Sequence, residues 1–170
     1  ILLKESKKYI PKNPLSLENE VGAIVSESQK NRVEEYIKTG IESGARIITS
    51  KEELKIHNGG SYVNPTIFDD VDPNSKIAQE EIFGPVASVM KYKNIDEAIE
   101  LANWTDFGLS AVVVWNDEKE ALEIAAKLDW GMIFINQNAG SKASLPFGWV
   151  KKSGYWKENG PDGLKAFTNK

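Results

Sequence analysis

The sequence predicts an α/β fold, a parallel-dominated sheet with flanking helices. Two observations carry this. Short apolar runs at residues 86–92, 109–115 and 132–135 alternate with two helical stripes. One stripe is Ile95, Ala98, Ile99 and Ala102, and the other is Ala121, Leu122, Ala125 and Leu128. Strand-helix-strand-helix-strand order with short connections favours parallel strands and right-handed crossovers. The 170 residues are 41% hydrophobic, enough for one domain over residues 1–170. A chain of that size can bury roughly two-thirds of its unfolded surface.

Taken in order, residues 1–10 read as a short helix ended by Pro11 and Pro14, because proline cannot continue a helix. Residues 12–23 read as loop. Ser26 and Gln29 then form a capping-box pattern. Val33, Tyr36, Ile37 and Ile41 follow at helical spacing and predict one buried stripe. Gly44 suits the left-handed residue after a helix end. Residues 45–48 suit a short strand, and Asn58-Gly59-Gly60 a turn. Residues 62–68 are extended in character, but Pro65 argues for an edge or irregular strand. Asn94 and Glu97 repeat the capping pattern before the next helix. The continuous apolar run at 109–115 suits a strand buried on both faces, and 132–135 another buried strand. From Phe147 onward the chain is rich in Gly, Lys and aromatic residues, with little periodicity.

The composition excludes several classes of function. Net charge is −4 with both signs mixed, so no basic footprint for nucleic acid is present. There is no cysteine, which removes disulfides, thiolate metal sites and a cysteine nucleophile from these residues. His57 is the sole histidine, so Ser-His catalysis and most zinc sites are disfavoured and no metal site is expected. No apolar run approaches the ~20 residues of a membrane span. No signal peptide is visible, and the default location is cytoplasmic. Only Arg32 and Arg46 are arginine, a weak hint of a thermophile or an AT-rich genome. Ile1 stands where a starting Met is expected, so the chain reads as a fragment, a trimmed product or an unusual start.

In a parallel sheet ligands bind beyond the carboxyl ends of the strands. Here that places Asn136-Gln137-Asn138-Ala139-Gly140-Ser141 as a substrate or cofactor loop, although a solvated connection has the same composition. The segment Gln79-Glu80-Glu81-Ile82-Phe83-Gly84-Pro85 sets two carboxylates before an aromatic and a Gly-Pro break. A carboxylate can accept both hydroxyls of a ribose, and a nearby ring can pack on a flat ligand. Taken alone the segment reads first as a charged turn leading into a strand, with Phe83 in the core. His57 beside Asn58 reads as a surface turn residue, and Asp69, Asp70 and Asp72 as solvated acid without the spacing of a calcium loop. Lys151-Lys152 lacks the glycine spacing of a phosphate loop.

The ordered set is more specific than any piece. Asn64-Pro65-Thr66, QEEIFGPV at 79–86, Leu101-Ala102-Asn103, Phe107-Gly108-Leu109 and GMIFIN at 131–136 come first. Leu145-Pro146-Phe147-Gly148, Lys152-Ser153-Gly154, Gly163-Leu164 and Phe167-Thr168 complete it. This pattern resembles the C-terminal half of the catalytic domain of the NAD(P)-dependent aldehyde dehydrogenase superfamily. The match runs from about residue 21 to the end and extends to the N-terminal helix of residues 1–20, and the tail is most similar to the succinate-semialdehyde dehydrogenase branch. The resemblance implies aldehyde oxidation to carboxylate with NAD or NADP. In the family a cysteine attacks the aldehyde, hydride passes to the nicotinamide, and water activated by a glutamate hydrolyses the thioester. Both groups precede the matched region, as do the cofactor domain and its pyrophosphate site. The chain thus corresponds to the domain from beyond the nucleophile and ends before the family's last strand, which joins an oligomerisation arm.

By the same resemblance Glu81 corresponds to the carboxylate that holds the nicotinamide ribose, and Phe83 to the aromatic beside the nicotinamide. Asn136 corresponds to a structural asparagine near the active site, and Gln137 and Asn138 lie on the substrate-contacting loop. Phe147 corresponds to an aromatic of the aldehyde tunnel. No catalytic residue transfers. Four of the five tryptophans, Trp104, Trp130, Trp149 and Trp156, stand where the family has small or polar residues. At a positive-φ glycine position indole would be strained, and in a packed site it would overpack by ~1–3 kcal/mol. The expectations are therefore a chain inactive alone that does not hold the cofactor tightly. It is either a subunit completed by a separately encoded N-terminal half or a homo-oligomeric remnant without chemistry.

Overall fold

The computed structural model describes residues 1–49 and 59–169, so His57 and Asn58 lie outside the described residues. The chain divides into two compact units, residues 1–91 and 92–170.

In the first unit α1 (Leu2–Ser6) and a 3-10 turn (Lys7–Tyr9) precede a loop. Helix α2 (Glu27–Glu42) starts at Ser26, whose side chain accepts from the Gln29 N–H. Only this half of the capping box forms, because the Gln29 side chain bonds elsewhere. Val33 and Tyr36 are buried as expected, but Ile41 is exposed. The buried place in that turn belongs to Gly40, where an added Cβ would stand 2.7 Å from Phe68 Cζ. Close approach to the fully buried Phe68 ring therefore replaces side-chain packing at that point. Gly44 ends the helix at φ +89°.

Strands β1 (Arg46–Ile47), β2 (Thr66–Asp69) and β3 (Val86–Ser88) form a sheet in the order β1-β2-β3. β2 is antiparallel to β1 and parallel to β3. It is thus the central strand, not an edge. Pro65 is tolerated because it immediately precedes the first paired residue, where no ladder N–H is required. Helix α3 (Lys76–Gln79) lies between β2 and β3 in sequence. Val33, Tyr36, Ala45, Val63, Phe68, Val71, Ile77 and Ile82 make the core. Fully burying a side chain such as Phe68 or Val33 contributes about 1.5–3 kcal/mol.

In the second unit α4 (Ile95–Asn103) is capped by Asn94, which accepts from the Glu97 N–H. After β4 (Phe107–Gly108), strand β5 (Ser110–Val113), helix α5 (Glu118–Ala125) and strand β6 (Met132–Ile135) form a parallel β-α-β unit. Val113, Ala121 and Ala125 are its buried centre, with Ile133 and Ile135 packed on them. The expected burial of both faces of residues 109–115 does not hold. Leu109, Val112 and Val114 are exposed, because α5 packs on the face that carries Val113. Leu122 is likewise exposed, and β6 is only half-buried along its length.

The tail is more ordered than its lack of periodicity predicts. Strands β7 (Phe147–Gly148), β8 (Val150–Lys151) and β9 (Lys157–Glu158) are too short to show a period, and α6 (Gly160–Ala166) follows. β8 pairs antiparallel with β4, and β9 with β7. Among the described residues the longest ladders, β5 with β6 and β2 with β3, are parallel, and the fold is α/β. No helix among the described residues is long and apolar enough to cross a membrane.

The tryptophans carry no backbone strain, since none of the four has positive φ. Trp104 and Trp156 are about half exposed. Trp130 Nε1 donates to the Ala102 carbonyl at 3.1 Å. Trp149 meets Phe147 edge-on at 5.7 Å and lies flush on Gly154, whose lack of a Cβ admits the indole.

Candidate functional site

The first candidate cluster is the acidic-aromatic segment that links α3 to β3. Gln79 ends α3, and at Glu80 the backbone turns extended. Helix α2 then holds the segment along one face. Tyr36 Oη donates to Glu80 Oε2 at 2.6 Å. Arg32 Nη2 donates to the Glu81 carbonyl at 3.3 Å. Gln29 Nε2 donates to the carbonyls of both Ile82, at 3.2 Å, and Phe83, at 3.1 Å. Ile82 is buried in the core, and Gly84 sits against Val33, where a Cβ would come within 2.6 Å. The Arg32 guanidinium and the Lys76 ammonium lie 5.6 and 4.8 Å from the Tyr36 ring centre. Such cations are attracted to the negative face of an aromatic ring.

Two side chains of this segment point to solvent. Glu81 is exposed, and among the described residues no donor engages its carboxylate. Phe83 is 72% exposed, so it is not the core residue that composition alone allows. Its backbone has φ +56°, a rare conformation for a bulky residue. A turned, exposed carboxylate and ring two residues apart can receive vicinal hydroxyls and a flat ring from one ligand.

The second cluster lies in the other unit. Asn136 ends β6 at φ +53°, which asparagine tolerates better than most residues. Its Nδ2 donates to the Trp115 carbonyl at 2.8 Å, and Trp115 N–H donates to its Oδ1 at 2.9 Å. This pair of bonds ties the end of β6 to the end of β5. Gln137 and Asn138 follow on an exposed loop. The loop's far end is fixed where Asn159 Nδ2 donates to Ser141 Oγ at 2.9 Å. Phe147, half-buried on β7, packs on Trp149.

The structure thus places Glu81 with Phe83 in one unit, and Asn136, Gln137, Asn138 and Phe147 in the other. Among the described residues no group of three His, Asp or Glu side chains could hold a metal ion. The carboxylates held below their usual range are Asp70, by the hydrogen bond from Lys91 at 2.6 Å, and Asp106, by that from Lys152 at 2.5 Å. Both are exposed surface pairs.

Sequence reasoning missed Gln29, Arg32 and Tyr36 as supports of the acidic-aromatic segment. The signal was present in their spacing, which puts them with Val33 on one helix face.

The model of the aldehyde dehydrogenase family matches residues 1–170. An aldehyde dehydrogenase-like protein of Schizosaccharomyces pombe is 39% identical over 94% of this chain and 32% of its own length. A protein of Staphylococcus haemolyticus named as an aldehyde dehydrogenase is 42% identical over 98% of this chain and 35% of its own. Among solved structures, a mutant indole-3-acetaldehyde dehydrogenase of P. syringae in complex with NAD+ and IAA superposes with a TM-score of 0.93. It is 38% identical, with 99% of this chain and 34% of that chain covered. A double mutant of betaine aldehyde dehydrogenase of Staphylococcus aureus in complex with NAD+ gives a TM-score of 0.91 at 32% identity, over 98% of this chain and 34% of that one. The chain spans about a third of the length of these relatives. With its α/β fold and its full-length match, the chain belongs to the aldehyde dehydrogenase family of oxidoreductases.

Proposed function

We propose that these 170 residues supply the nicotinamide-ribose contact and the substrate loop of an NAD(P)-dependent aldehyde oxidation. The thiol nucleophile would come from outside them, since they contain no cysteine. The observation that carries the reading is the Glu81–Phe83 turn, an exposed carboxylate and an exposed ring on a segment strapped to α2. Glu81 would accept hydrogen bonds from the two ribose hydroxyls, and Phe83 would cover one face of the nicotinamide. The chemistry such a cofactor would supply, when bound, is acceptance of the hydride. Asn136 fixes the start of the loop on which Gln137 and Asn138 face the aldehyde, and Phe147 contributes an apolar wall. The tail around Ser153-Gly154-Tyr155 favours succinate semialdehyde as the first aldehyde to test.

The exposed apolar side chains Leu109, Val112 and Val114 favour a second reading, in which the chain is a subunit of a split cytoplasmic enzyme or associates with itself. The test is a nicotinamide-reduction assay with NAD and NADP over an aldehyde panel, with light scattering beside it. The proposal expects no turnover from the chain alone, and turnover when a nucleophile-bearing N-terminal half is added. Turnover by the chain alone, at a rate that follows its concentration through purification, would overturn it.

A further inference from the structure

We infer that Gln29 is a positioning residue for the cofactor segment: its amide donors hold Phe83 in its turned conformation and thereby set Glu81 and Phe83. The cofactor part of this inference rests on the function proposed above. In extended backbone successive carbonyls point to opposite sides, so one amide reaches both only when the residue between them is turned. Gln29 Nε2 reaches the carbonyls of Ile82 and Phe83 together, and Phe83 has φ +56°. An amide nitrogen has two N–H donors, one for each carbonyl. Burial does not hold Phe83 in place, because the residue is 72% exposed. Nor is the Gln29 side chain needed for the helix cap, which uses the Gln29 backbone N–H. The long polar side chain thus has one visible task, to hold a strained turn whose two neighbouring side chains face solvent.

The test compares Gln29→Met, which keeps length and helix propensity but has no donor, with Gln29→Lys, which restores donors. Isotope-labelled chain reports the Phe83 backbone through its Cα and Cβ shifts and its amide relaxation, and an NAD titration reports affinity. In Gln29→Met the positive-φ signature should be lost and residues 81–84 should become mobile, with the melting temperature lowered by no more than several degrees and the fold retained. NAD affinity should fall on the order of fivefold or more, because only the fraction of chains with the turn formed is competent to bind. Gln29→Lys should recover both. A Phe83 signature and mobility unchanged in Gln29→Met would overturn the inference. If wild-type chain shows no NAD binding, the cofactor reading fails, while the Phe83 signature still decides the role of Gln29.

Discussion

Phe83 offers a separation of folding from function that can be worked out from its geometry. Only about a quarter of its surface is covered, since the side chain is 72% exposed. Full burial of a phenylalanine contributes about 1.5–3 kcal/mol, so removing this ring should cost roughly 0.4–0.8 kcal/mol. That is far below the ~3–5 kcal/mol of a core Phe→Ala change. The left-handed backbone at φ +56° adds a cost of about 1–2 kcal/mol for any residue with a Cβ. Phe83→Ala keeps this cost, whereas Phe83→Gly removes it and gives back ~0.5–1 kcal/mol through greater unfolded-state freedom. Phe83→Gly should therefore be as stable as Phe83→Ala, or more stable by up to about 1.5 kcal/mol. Urea unfolding of wild type and both variants, followed by tryptophan fluorescence, measures this. At ~2–4 °C per kcal/mol for a chain of this size, thermal melts resolve it too. Both variants should bind NAD more weakly than wild type. If Phe83→Gly is less stable than Phe83→Ala by more than about 1 kcal/mol, the strain is not there and the reasoning fails.

Other changes have equally definite outcomes. Gly40→Ala gains about 1 kcal/mol of helix propensity. It also drives a Cβ to 2.7 Å from the fully buried Phe68 ring, so the variant should be less stable than wild type in urea by up to ~2 kcal/mol. Asn136→Ala removes both bonds to the Trp115 backbone, so it should cost about 1–3 kcal/mol and change the fluorescence of the β5 end, whereas a retained wild-type melt would contradict the clamp. Asp70 and Asp106 have folded pKa values below the ordinary carboxylate value, by hydrogen bonds from Lys91 and Lys152 respectively. Their contribution is complete above pH ~4 and lost as pH falls through the lower folded values. The Asp70→Asn, Asp106→Asn double variant should therefore lose less stability on acidification than wild type, and the difference should shrink in 1 M salt.

The features legible in the sequence are those fixed by neighbours along the chain. Ser26 and Asn94 cap their helices because a cap needs only the N–H three residues on. Gly44 takes positive φ because helix ends favour it locally. What was not legible depends on distant partners. Nothing near Gly40 in the chain indicates that Phe68 occupies the space of its missing side chain. The run at 109–115 has the composition of a two-faced buried strand, but α5 packs on one face of it. Gln29 reads as a cap residue, while its amide serves a turn that lies 53 residues away. At the site, the residue types of Glu81 and Phe83 were legible from the ordered motif. Their exposure and the positive φ at Phe83 were not, because both follow from how α2 grips the segment.

The most direct test of the proposed role is a calorimetric NAD titration of the chain and of Glu81→Gln. The account predicts weak but saturable binding by wild type, about tenfold weaker in the variant through loss of charge-assisted bonds to the ribose, with unchanged melting. Equal affinity in the two proteins, or no binding by wild type, would contradict it.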